Sequence, residues 1–276
     1  MSVFSAPGAP SDGLLPVRSA GDARGTPIIL LHGFLSDGRS WNEVADRLLR
    51  ASQQPLHLLA FDLPGHGAAA HLRPPEDAWA ALAELAAQTY LSLRHEPPIV
   101  MGYSLGGRVA AQWLARGSFA AKHLIVESAH PGIRDEAERA TRRAVDDQRA
   151  TELIQVGTAA FVAHWQQLPL FASQMRLSAK ILDDQRLLRS SQNAAGLAYS
   201  LRAFGTGNTA LLPGRSLVMP VTALVGEADG DCMARLPQWK QACNHLTIRV
   251  FPQIGHNIHL ENPDAWVAAI REVIGR

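Results

Sequence analysis

Ser104 stands at the centre of Gly102-Tyr103-Ser104-Leu105-Gly106, directly after the apolar run Ile99-Val100-Met101. That pattern is a nucleophile elbow: a sharp strand-to-helix turn holds the serine in a strained backbone and lifts its hydroxyl above the sheet edge. A serine hydroxyl at its ordinary pKa is a poor nucleophile or base, so it needs an imidazole, which needs an orienting carboxylate. Both follow in order. Asp229 comes after Ala223-Leu224-Val225, in Gly226-Glu227-Ala228-Asp229, and His256 comes after Val250-Phe251, in Gly255-His256-Asn257. Ser104, Asp229 and His256 are therefore the expected catalytic residues. Glu227 and Asp231 flank Asp229 and read as solvated loop carboxylates. His32 and His66, both beside turn glycines, read as loop-holding hydrogen bonders, and His259 as a support behind the site. Charge developing on a substrate oxygen requires fixed donors, expected from the backbone N–H groups of Leu105, after the serine, and Phe34, in the loop after the first buried strand.

Positioning these groups requires a particular scaffold. Pro27 to Leu31 is apolar throughout, as a strand covered on both faces would be, and it ends in His32-Gly33-Phe34. An amphipathic helix over Ser40 to Arg50 follows, then a strand over Leu56 to Phe61, closed by Asp62-Leu63-Pro64-Gly65-His66-Gly67. A helix over Glu76 to His95 ends before Pro97-Pro98, and another strand runs from His123 to Val126. From Gly132 to about Phe204 no buried parallel strand is found, and strands return at Val218 to Val225 and Leu246 to Phe251. This alternation predicts an α/β fold, a mostly parallel central sheet flanked by helices with an inserted helical cap, and the chain order Ser104, Asp229, His256 makes it of the α/β-hydrolase type. The expected division is residues 1–130 for the first part of the core, 131–204 for the cap and 205–276 for the second part.

Composition narrows the partners. The chain has 276 residues, 47% hydrophobic and 18% charged, enough for one large core with an insertion. Twenty-six basic and 25 acidic residues give a formal charge of +1, which points to no nucleic acid and no membrane surface as partner. Cys232 and Cys243 lack metal-ligand spacing and read as free thiols of a reducing compartment. Met1 to Gly25 has neither the basic start nor the apolar core of a signal peptide, and no window reaches the roughly 18 apolar residues of a membrane helix. A cytoplasmic location is expected. Residues 102–107 lack the Gly-Lys-Ser/Thr of a phosphate loop, and His-Glu-x-x-His is absent, so no cofactor and no metal are expected. Oligomeric state is not encoded in any pattern found.

The cap carries Arg139, Arg142, Arg143 and Arg149 near one helical face. Two readings stand open on periodicity alone. Asp135 with Arg139 and Glu138 with Arg142 would be ordinary surface pairs, or one or two guanidinium groups would face Ser104 and grip a carboxylate substrate.

Several motifs together resemble one family. His32-Gly33-Phe34-Leu35-Ser36, residues 62–67, Gly102-Tyr103-Ser104-Leu105-Gly106-Gly107-Arg108, Glu127 with His130-Pro131-Gly132, Leu188-Arg189-Ser190 and residues 255–263 look like those of the 2-succinyl-6-hydroxy-2,4-cyclohexadiene-1-carboxylate synthases of menaquinone biosynthesis. The resemblance implies elimination of pyruvate from 2-succinyl-5-enolpyruvyl-6-hydroxy-3-cyclohexene-1-carboxylate, with Ser104 acting as a base. It implies a small anionic substrate with several carboxylates, bound by Arg108, Arg142 and Arg189 in a pocket shaped by Tyr103 and Trp165. Arg139, Arg143 and Arg149 are left as surface charges. A serine hydrolase of small esters, thioesters or carbon–carbon bonds is the alternative, because the same triad serves it. A binding protein that has kept a hydrolase fold is disfavoured by the three retained triad residues.

Overall fold

A computed structural model describes residues 2–8, 13–74, 78–117 and 119–275. Its sheet follows from period-two alternation in the apolar runs. In β2 (Thr26–Leu31), Ile29 and Leu31 enter one apolar layer while Ile28 and Leu30 enter the other. The remaining strands are β1 (Val17–Gly21), β3 (Leu56–Phe61), β4 (Ile99–Tyr103), β5 (His123–Glu127), β6 (Val221–Gly226) and β7 (Leu246–Phe251). They form one 7-stranded sheet in the order β1-β3-β2-β4-β5-β6-β7, parallel except for β1.

Helices cover both faces. Trp113 of α3 (Leu105–Leu114), Tyr90 of α2 (Ala78–Leu91) and Trp239 of α7 (Gly230–Ala242) lie in one layer. Trp266 of α9 (Pro263–Ile274) and Leu48 of α1 (Asn42–Ala51) lie in the other, with α8 (Ile258–Glu261) ahead of α9. Each such fully buried side chain is worth about 1.5–3 kcal/mol relative to exposure.

Between β5 and β6 the chain leaves the sheet and builds α4 (Glu136–Trp165), α5 (Ala179–Ser190) and α6 (Ala194–Phe204). Leu153, Phe161, Val162, Leu197 and Leu201 pack there around Leu35, which rises from the loop after β2. A parallel bridge between Ile133 and Ala210 joins the two ends of the insertion. Within α4, Gly157 has φ 78 and ψ 165, so the helix is broken into two pieces at that residue. Buried Asp37 fastens core to insertion: it accepts Gln192 Nε2 at 2.8 Å and Arg39 Nη2 at 2.7 Å.

The structure departs from the sequence reading in several places. β1 lies in a segment for which no strand was expected; Val17-Arg18-Ser19-Ala20-Gly21 has no clean apolar alternation because it is an antiparallel edge strand. β6 begins at Val221 rather than Val218: Pro220 cannot donate to the ladder, and Val218 is 74% exposed. Glu76 lies outside the described residues, and the helix ends at Leu91, short of His95. No helix among the described residues is long and apolar enough to cross a membrane.

Candidate active site

Strand order reverses around β2, and in open α/β sheets the crevice at the carboxyl ends of such strands receives ligands. The loops after β2, β4, β6 and β7 meet there. Ser104 has φ 51 and ψ −109, a left-handed conformation that side-chain-bearing residues seldom adopt. Its amide donates to Glu127 O at 2.8 Å. The tight turn depends on glycine, since a Cβ at Gly106 would lie 2.1 Å from Leu31 O.

His256 bridges the other two residues. Its Nδ1 lies 2.6 Å from Asp229 Oδ2, and its Nε2 lies 2.9 Å from Ser104 Oγ. Burial pushes the Asp229 carboxyl up, but hydrogen bonds from His256 and Cys232 outweigh this and hold it below the ordinary value. An ionised Asp229 accepts, so Nδ1 carries the proton and Nε2 is left to accept the serine hydroxyl hydrogen. Asp229 also caps α7, taking Cys232 N at 3.2 Å. Glu227 instead takes Gln253 N at 3.0 Å, bracing its loop. His32 donates Nδ1–H to Gly33 O at 2.8 Å and accepts Leu63 N at Nε2 at 3.0 Å, which fixes its tautomer.

These residues open into a cavity of about 380 Å³, whose walls include Phe34, Leu105, Tyr103, Trp165, Phe171, Arg108, Arg142, Arg149 and Arg189. Leu105 is the first residue of α3, so its N–H is among those with no intrahelical acceptor. Trp165 meets Phe34 edge-on at 5.3 Å and lies 6.0 Å from Phe171, so three rings form a continuous apolar strip. Tyr103 stands 5.6 Å from the His256 ring, and burial pushes its phenol well above the ordinary value.

The arginines differ in what they already hold. Arg108, buried at the base of α3, donates Nη1 to Phe204 O at 2.7 Å and to Thr209 Oγ1 at 2.6 Å; burial pushes its pKa down to about 10. Arg189 is 6% exposed and stacks over Phe171 at 5.1 Å, with no hydrogen bond or ion pair found for its guanidinium among the described residues. Burial lowers its pKa too. Arg142 is half-exposed and lies 3.9 Å from Asp231, an exposed carboxylate, as expected, that also lines the cavity.

Two expectations about the cap are corrected. Arg139 pairs with Glu136 rather than Asp135, which instead caps α4 at Glu138 N; Arg143 also pairs with Glu136. Glu138 pairs with Arg235 rather than Arg142. Arg149 is not a surface charge: it faces the cavity and stacks over Trp165 at 5.1 Å. Arg142, Asp146 and Arg149 share one stripe of helix at i, i+4 and i+7, but that spacing does not show whether the stripe meets solvent or a cavity. Glu127 and Phe171 were also given no role by sequence reasoning, since neither lies in a turn that announces chemistry.

Asp229, Cys232 and His256 bring a carboxylate, a thiol and an imidazole within 4.8 Å of one another. Carboxylate and imidazole are already engaged with each other, and burial holds the thiol well above its ordinary pKa, so the set fits a protonated relay better than a metal centre.

The chain belongs to the alpha/beta hydrolase family, whose model matches residues 28–270. Within it, the chain groups with the 2-succinyl-6-hydroxy-2,4-cyclohexadiene-1-carboxylate synthases. The synthase of Escherichia coli O9:H4 (strain HS) is 33% identical over 258 residues, covering 90% of this chain and 93% of that one. MenH from S. aureus superposes with a TM-score of 0.82 at 30% identity, covering 91% of this chain and 93% of that one. An esterase from Thermogutta terrifontis, at 20% identity and a TM-score of 0.77 over 100% of this chain and 98% of that one, shares the fold.

Proposed function

We propose that this chain is a carbon–oxygen lyase that eliminates pyruvate from 2-succinyl-5-enolpyruvyl-6-hydroxy-3-cyclohexene-1-carboxylate, giving 2-succinyl-6-hydroxy-2,4-cyclohexadiene-1-carboxylate. One observation carries this reading beyond the relatives' names: the Ser104–His256–Asp229 chain opens into a cavity that guanidinium groups also line. A substrate with several carboxylates gives buried Arg189 the partner it lacks; a neutral ester leaves that cation desolvated and unpaired.

In this reading His256, held by Asp229, draws the proton from Ser104, and the serine oxygen removes the ring proton beside the succinyl carbonyl. The electron pair forms the C2–C3 double bond, the ring alkene shifts to C4–C5, and the C5–O bond breaks to release pyruvate in its enol form. The amides of Leu105 and Phe34 stabilise the enolate-like oxygen, an effect worth about 3–4 kcal/mol per donor. Arg108, Arg142 and Arg189 bind carboxylates, and Tyr103 and Trp165 shape the pocket. The chemistry draws on no cofactor, and the reading carries with it a cytoplasmic location.

The test supplies the enolpyruvyl substrate and follows pyruvate, beside a panel of p-nitrophenyl esters and acyl thioesters. Pyruvate release that exceeds every ester and thioester rate, and that collapses in Arg189→Ala, is expected. Ester or thioester turnover without pyruvate release assigns the chain to the hydrolases.

A further inference from the structure

Arg149 is a cation that the proposed reaction has not used. It lies on α4 in one stripe with Arg142 and Asp146, and all three line the cavity above Ser104. Its guanidinium carbon sits 5.1 Å from the centre of the Trp165 ring. Stacking engages the flat face of a guanidinium and leaves its in-plane N–H donors pointing past the ring edge. The nearest acid, Asp146, is 3.9 Å from Nη1, beyond hydrogen-bond reach, and that carboxylate already takes Gly207 N at 3.4 Å. No hydrogen bond from the Arg149 guanidinium is found among the described residues.

The contrast with its neighbours on α4 is informative. Arg143 spends its donors on Glu136 and on Gly207 O, and Arg139 pairs with Glu136. Arg149 resembles Arg189 instead, which stacks over Phe171 at the same 5.1 Å and likewise makes no side-chain hydrogen bond, although Arg149 is the more exposed and keeps Asp146 at 3.9 Å. The two supporting rings are 6.0 Å apart. One aromatic strip therefore carries an open guanidinium on the Phe34 side and another on the His256 side. Burial lowers the pKa of Arg149, as expected for a cation with too little compensating charge nearby.

We infer that Arg149 is a further specificity-determining residue, gripping a substrate carboxylate from the Trp165 wall while Arg189 grips another from the Phe171 wall. The cyclohexene ring lies along the strip, and the carboxylates of the ring and its arms project toward the two guanidinium groups. This rests on the lyase reading and adds a fourth guanidinium, over Trp165, to the three that reading already uses.

The experiment has two arms. Calorimetric titration with tricarballylate, an unreactive tricarboxylate, measures anion binding; pyruvate release measures turnover. Arg149→Met keeps the stem over Trp165 and removes the charge. It is expected to weaken tricarballylate binding and raise KM roughly 10- to 100-fold, as loss of a charged hydrogen bond does, with kcat within about 3-fold. Arg149→Lys, which keeps the charge but not the planar fork, is expected to recover part of the loss, remaining about 3- to 10-fold weaker than wild type. Arg143→Met is expected to behave as wild type. Wild-type tricarballylate affinity in Arg149→Met overturns the assignment; should that variant fail to fold, unchanged affinity in Arg149→Lys does so. A wild-type protein that releases no pyruvate, yet loses tricarballylate on substitution of Arg149, sinks the lyase reading and leaves the anion contact standing.

Discussion

The carboxylate of Glu127 accepts twice from His259, from ring Nδ1 at 2.8 Å and from the backbone N–H at 3.1 Å. Its other oxygen takes Trp266 Nε1 at 2.8 Å, while its backbone carbonyl takes the amide of Ser104. One fully buried residue at the end of β5 thus ties the elbow to α8 and α9, behind the wall that carries Tyr103. Glu127→Ala leaves three buried donors without an acceptor. Unpaired donors cost about 1–3 kcal/mol each, so a loss of at least 3 kcal/mol in urea unfolding is expected, together with lower kcat.

Asp229→Asn keeps the size of the carboxyl but removes the ionised acceptor that fixes the tautomer of His256. Serine then has no free nitrogen to which it can donate. Turnover is expected to fall roughly 10²- to 10⁴-fold, as in Ser104→Ala, with KM little changed. Steady-state pyruvate release in both variants checks this.

Asp37 governs acid stability at the seam between core and insertion. Burial raises its pKa, but hydrogen bonds from Arg39 and Gln192 outweigh this and hold it at about 2, against an ordinary 3.8. A depressed carboxyl stabilises the fold above the unfolded value and loses that contribution as pH falls from 3.8 toward 2. The contribution is about 2 kcal/mol. Asp37→Asn is expected to lose this amount at pH 7, with the gap to wild type closing near pH 2, read by urea midpoints.

His66 acts at higher pH. Burial holds it at about 3, against an ordinary 6.5, and one ring nitrogen, Nε2, has no partner. Below pH 6.5 the unfolded chain takes up a proton that the native state refuses, so stability declines from there toward pH 3. At pH 5 the deficit is about 2 kcal/mol. His66→Gln is expected to flatten the profile between pH 7 and pH 5 by that amount.

How far the sequence could be read follows from what each residue does locally. Strand β3 begins and ends where its apolar run does, because five of its six residues are buried and leave little room for polar interruption. Ser104, Asp229 and His256 were visible because each sits in a turn whose glycines or capping role leave a mark in the chain. Arg149 was not, since helical spacing shows which residues share a face but not whether that face meets solvent or a cavity. β1 escaped for a related reason: an edge strand is paired by its backbone, which leaves little trace in side-chain pattern.

Gly157 separates two pieces of α4 that present different chemistry: Arg142, Asp146 and Arg149 on one, Phe161 and Trp165 on the other. Open space surrounds the point where its Cβ would be, so no neighbour dictates the bend. A single left-handed torsion sets the angle between a charged plank and an aromatic one, and with it the clearance of the cavity between them. Selectivity in the pocket is in this way drafted at a position that has no side chain and contributes no surface to the wall.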